Sequence, residues 1–176
     1  MGIARAAYST DAVIVSTGMK CGIETACYRK KVQLMGVCPE AAIQYPTNNS
    51  TGDRLGELSG GHSHFFVIGK QNDYMRWDGV VNFKMELIER LRKGRGAPGS
   101  YVCRAMCVFV GDNTNHLWEL ERALNNDWPV LVIEESPVGQ DISQFLRGKK
   151  TELPKSLQQA LKQGCLLYTS PSPRDS

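Results

Sequence analysis

The residues best suited to chemistry in this chain are gathered in a few short strings. Ser16-Thr17-Gly18-Met19-Lys20-Cys21-Gly22 puts two hydroxyls and two glycines together. Where a strand turns into a helix, glycine lets backbone N–H groups approach an anion, and the helix dipole favours it. Ser16 and Thr17 would add hydroxyls for a phosphate or a ribose, with Gly18 and Gly22 supplying the freedom. The string is not a G-x-G-x-x-G fingerprint. Gly69-Lys70 is not a phosphate-loop lysine either, since His64 stands five before Gly69 and Gln71 follows Lys70. Glu40, directly after Pro39, is the most plausible acid for a ribose hydroxyl or a catalytic role. His62 and His64 are two apart, so on a strand they share a face. They would make two metal ligands without an evident third, and anchoring of the preceding loop by hydrogen bonds is the simpler use. Contact with a ligand is the other option. Asp112, next to Gly111, and Glu134 sit at expected strand ends; helix capping accounts for Asp112. Trp77 and Tyr45 are able to stack on a base, although partly buried packing is the commoner role of such rings. Cys103 and Cys107 read as core. No spacing suggests a Ser-His-Asp or Cys-His arrangement.

The elements that must position these residues alternate. Short apolar runs at Ala12–Ser16, Gln33–Cys38, His62–Gly69, Ala105–Val110 and Pro129–Glu134 are expected strands. Helical stretches are expected at 23–31, about 80–93 and up to 125, with short helices near 141–146 and 153–162. In the longest, Val81, Met85, Leu87, Ile88 and Leu91 form an apolar stripe, and Asn113 or Thr114 can cap the helix that ends at Asn125. Nearly wholly apolar strands alternating with helices imply α/β architecture, a mainly parallel sheet covered on both faces. Ligands in such folds collect at the carboxyl ends of strands. That rule selects Ser16–Gly22, Pro39-Glu40, Gly111–Asn113 and Glu134–Gly139 as loops of one crevice.

Bulk properties exclude several classes. A chain of 176 residues with 41% hydrophobic and 22% charged residues suits one soluble domain with a real core. A net charge of +3, with Lys and Arg scattered, does not argue for a nucleic-acid partner. No run reaches the roughly 18 apolar residues of a membrane span, and no signal peptide is evident. Six cysteines without a CxxC pair are most simply reduced thiols of a cytoplasmic protein. Residues 165–176 resemble a translated sequencing adapter and are set aside as a non-native tail, leaving 1–164 as a single domain.

Four ordered motifs carry a resemblance. Ala12–Gly22, then Gly36-Val37-Cys38-Pro39-Glu40, then Gly61-His62-Ser63-His64-Phe65, and finally Trp77 and Pro129–Ile133 occur in order. Together they resemble the SLOG superfamily, and more closely its LSDAT branch, shared by stand-alone microbial proteins and the cytosolic N-terminal region of TRPM cation channels. The branch pattern is an acidic-Gly-Gly-Thr turn, G-[IV]-x-P-E and N-H-[TS]-H-F. Here Ser16–Met19 replaces the first turn, Gly61 replaces the Asn, and the Trp-Gly-acid order reads Trp77-Asp78-Gly79. The resemblance implies a Rossmann-like three-layer sandwich whose first strand and most of whose first helix precede Tyr8. The chain is therefore expected to be N-terminally incomplete, with 2–8 as the tail of that helix.

The resemblance also implies a ligand-sensing domain for a nucleotide-derived small molecule, ADP-ribose-like or related. Its expected site is Ser16, Thr17, Gly18, Gly22, Pro39, Glu40, His62, His64, Gly111, Asp112 and Glu134, with no metal or cofactor. Partners would be that small molecule and a further copy or a channel on the cytosolic side, with no membrane contact in this segment. An alternative is a LOG-like nucleotide N-glycoside hydrolase. The P-G-G-x-G-T-x-x-E signature of those enzymes is absent, and only Glu40 or Glu134 would replace its glutamate. A structural or oligomerising domain without a ligand is a third.

Overall fold

The computed structural model describes residues 2–20, 23–43, 56–69, 77–94, 103–111 and 116–169. The chain is α/β and Rossmann-like, as expected, and divides into two compact units, residues 1–84 and 85–176.

In the first unit, α1 (Gly2–Ser9) precedes β1 (Ile14–Ser16), α2 (Ile23–Lys30) and β2 (Leu34–Pro39). A 3-10 turn at Glu40–Ala42 follows, then β3 (His64–Ile68) and the start of α3 (Trp77–Lys93). The three strands form one parallel sheet in the order β1-β2-β3. Alternation along β2 explains the layering. Leu34 turns to the face where Ala4, Ala7 and Cys27 are buried, so α1 and α2 cover that side. Phe66, paired with Val37, belongs to the other face and meets Phe83 of α3 with ring centroids 6.0 Å apart. Helices thus flank this sheet on both sides. Asp11 and Lys31 take positive φ where the chain leaves α1 and α2.

The stripe expected on α3 is shifted. Val80, Val81 and Met85 are buried, whereas Leu91 is 45% exposed and Lys84 is buried. The aliphatic stem of a lysine can line an apolar stripe, which a residue-type reading does not anticipate.

The second unit holds a second parallel sheet, β4 (Cys107–Phe109), β5 (Val130–Ile133) and β6 (Leu166–Thr169). Its helices are α4 (Leu117–Asn125), α5 (Pro137–Leu146) and α6 (Lys155–Gln163). Leu120, Ala123, Leu157 and Leu161 are buried, and α4 packs on α6. Where one sheet was expected, the described strands form two three-stranded sheets. Leu166–Thr169, in the segment set aside as a tail, pairs with β5 from Val130↔Leu166 to Ile133↔Thr169. Cys103 is exposed and Cys107 half-buried, so Cys103 is not core. Its strand begins only at Cys107, leaving the approach to it at the surface. The α4 cap expected at Asn113 or Thr114 lies outside the described residues, and His116, just before the helix, makes no side-chain cap.

Candidate functional site

The turn after β1 is built by two glycines. Gly18 has φ +79°, a region that disfavours residues with a Cβ. The register brings Ser16 level with Gly36 of β2. The chain then folds back over the sheet so closely that a Cβ on Gly36 would stand 2.5 Å from the Gly18 Cα. Gly36 is therefore part of the site. It stood in the G-V-C-P-E string, but its role depends on a contact with a residue eighteen positions earlier. Phe65, level with Gly36 on β3, closes the same patch, its ring edge 3.0 Å from that Cβ position.

Segment 56–62 is stitched across this turn. Ser59 N–H donates to the Gly18 carbonyl at 3.1 Å, and Met19 bridges Leu58. His62 leans back onto it: Nε2 lies 2.8 Å from Ser16 Oγ, and Nδ1 lies 3.0 Å from the Ser59 carbonyl. The His62 ring also packs on Phe65 at 5.0 Å. The carbonyl only accepts, so Nδ1 carries the proton and Nε2 accepts from the Ser16 hydroxyl. Gly18 N–H donates to the same Ser16 oxygen at 3.2 Å. Both ring nitrogens are thus engaged within the protein. His62 does hold the preceding loop, and its nitrogens are not free for a metal. His64 is exposed on β3, its Nδ1 3.1 Å from Ser63 Oγ. Among the described residues no group of three or more His, Cys, Asp or Glu converges as a metal set would.

Pro39 ends β2, buried, and Glu40 follows at the surface. β2 runs three residues beyond the end of β1, paired there with β3. Glu40 Oε2 reaches Gly69 just past the end of β3, 3.3 Å from where a Cβ there would sit. Gly36 and Pro39, the last residue of β2, are about 10 Å apart by strand rise, and Glu40 opens the 3-10 turn beyond. The turn and Glu40 thus stand at different points along β2. Thr17 is half-buried beside the turn. Gly22 and Tyr45 lie outside the described residues, and Trp77 opens α3. The first turn of α2 contains a buried glutamate, Glu24, packed against Gly61. Cys38, fully buried on β2, has its thiol pushed above the ordinary range by desolvation, which keeps it unreactive.

The remaining expected residues belong to the second unit. Gly111 is buried after β4, where a Cβ would strike the Phe109 ring at 2.5 Å. Its carbonyl accepts from Val138 N–H at 3.4 Å, near the start of α5. Asp112 lies outside the described residues. Glu134 follows β5, with Oε1 accepting from Ser143 Oγ at 2.9 Å and from Arg147 at 3.1 Å. These bonds tie Glu134 to α5. Ser136 caps α5, accepting from Gly139 N–H at 3.1 Å, a role visible in Ser136-Pro137 but not assigned from the sequence.

A parallel α/β scaffold with a glycine turn packed over its central strand defines a Rossmann-like type of domain. The model of the family described as SLOG in TRPM, prokaryote, matches residues 1–167 of this chain. The chain belongs to that prokaryotic LSDAT family.

Proposed function

We propose that this is a ligand-sensing domain for a nucleotide-derived small molecule of ADP-ribose type. Membership of the LSDAT family supports the reading. The observation that carries it is the Ser16–Gly18 turn packed over Gly36. That arrangement puts Thr17 at the carboxyl end of β1, where ligands of such sheets bind. Glu40, just past the end of β2 and about 10 Å or more from Gly36 by strand rise, supplies an acceptor for a ribose hydroxyl. Two polar positions so far apart favour a ligand of nucleotide length or longer over a lone phosphate or sugar. A cytosolic setting, and service as the cytosolic part of a TRPM-like channel, are the context proposed for it. The N-glycoside hydrolase is the second reading; the P-G-G-x-G-T-x-x-E signature that would support it is absent from the chain.

A thermal-shift series with ADP-ribose, cyclic ADP-ribose, NAD and nucleoside monophosphates tests the proposal. A ligand at a hundred times its Kd is expected to stabilise the domain by about 2.7 kcal/mol. Glu40→Gln is expected to reduce that gain for ribose-bearing ligands. If none of these compounds stabilises the protein at millimolar concentration, the sensor reading fails.

A further inference from the structure

Ser16 stands at the end of a strand, two residues before a glycine with positive φ, and a helix follows the turn. Its oxygen is 2.8 Å from His62 Nε2, and His62 Nδ1 is 3.0 Å from a carbonyl that can only accept. The imidazole is thereby held in the tautomer that receives a proton at Nε2. A hydroxyl, an adjacent base and a third group orienting that base make up an activated nucleophile. Neither spacing nor residue type suggests this pair, because Ser16 and His62 are 46 positions apart. Both residues are half-buried, and Gly18 N–H fixes the Ser16 oxygen from a further direction.

We propose that Ser16 is a nucleophile, with His62 as its general base, that accepts acyl groups from carboxylic esters. Ser16 Oγ bonds to the ester carbonyl carbon as its proton passes to His62 Nε2, and the carbonyl electron pair moves onto oxygen. Collapse breaks the bond to the alcohol oxygen, which leaves with the proton from Nε2. Water then gives a proton to Nε2 and attacks the acyl-Ser16 carbonyl. Collapse releases the carboxylic acid, and Nε2 returns its proton to Ser16 Oγ. The sum is ester plus water giving acid plus alcohol. A neutral carbonyl stabilises the imidazolium less than a carboxylate would, so activated esters are the expected substrates and turnover is slow.

The experiment is labelling of the full chain with an alkyl fluorophosphonate, which phosphonylates an activated serine with loss of fluoride. Peptide mapping by mass spectrometry then locates the adduct. We expect the label on Ser16, its absence in Ser16→Ala, and no change in Ser9→Ala, an exposed serine of α1. His62→Gln is expected to slow labelling by about 100-fold, the scale of a lost general base. The wild-type map needs no variant to fold, so it decides the matter even if Ser16→Ala does not. A folded protein without an adduct on Ser16 overturns the proposal, as does a labelling rate that His62→Gln leaves unchanged. The proposal rests on Ser16 and His62 alone. Adduct without ligand-induced stabilisation, or stabilisation without adduct, therefore separates it from the sensor reading.

Discussion

At the scale of single residues, Gly36 and Glu89 have the clearest consequences. A methyl group on Gly36 has no room, since the Gly18 Cα, a backbone atom, occupies the space at 2.5 Å. Gly36→Ala is expected to cost about 1–3 kcal/mol, the usual scale of overpacking. Urea unfolding would show this as a lower midpoint with an unchanged slope. Glu89 on α3 accepts from Arg92 at 3.1 and 3.0 Å and from the Trp128 indole N–H at 2.9 Å. The Arg92 hydrogen bond is the main reason its carboxyl is held below the usual range, with the Trp128 bond adding to it. A depressed carboxylate contributes stability above its unfolded pKa, about 4.3 for Glu. That contribution is lost as pH falls through the lower folded value. Acid titration followed by Trp128 fluorescence should therefore show a loss of stability on the acid side that Glu89→Gln lacks. Equal acid sensitivity in both proteins would contradict it. The candidate site shows which residue roles are legible. Ser16 and Gly18 stand out by type, and His62 by its place in a motif. Ser59 offered no signal, because its part is played by a backbone carbonyl and N–H whose partners are set by folding.

At the scale of elements, periodicity located the strands and most helices to within a few residues. Apolar runs mark β1, β2, β3, β4 and β5, since a strand buried on both faces needs little else. Ends were less legible. Thr17 leaves the strand because Gly18 reverses the chain over Gly36, and Cys107 begins β4 because pairing with Val130 begins there. β6 is the element composition did not suggest. The Leu166–Thr169 backbone lies beside β5, and Val130 N–H donates to the Cys165 carbonyl at 2.9 Å. Ending the chain at Gly164 should leave that amide unpaired and turn β5 into an edge strand. Hydrogen exchange at Val130 is then expected to accelerate, and aggregation to rise, because an apolar edge invites pairing with other chains. Unchanged exchange at Val130 would show that this strand does not depend on β6.

At the scale of the whole molecule, membership of the LSDAT family and the α/β class agree with the order of motifs along the chain. No helix among the described residues is long and apolar enough to cross a membrane. The expected ligand residues divide between the units. Ser16, Thr17, Gly18, Pro39, Glu40, His62 and His64 lie in the first, and Gly111 and Glu134 in the second. The ligand screen accordingly tests the first unit most directly. By itself, the sequence determined the fold class, the strand order along the chain and the turn where a ligand reading begins. These follow from local periodicity and from glycine and proline chemistry, which act over a few residues. Tertiary structure alone decided that Gly36 makes room for Gly18, that His62 meets Ser16 within hydrogen-bond distance and that Glu134 turns to α5. Each of these depends on residues distant in the chain meeting within hydrogen-bond or van der Waals range, and no local pattern encodes such a meeting.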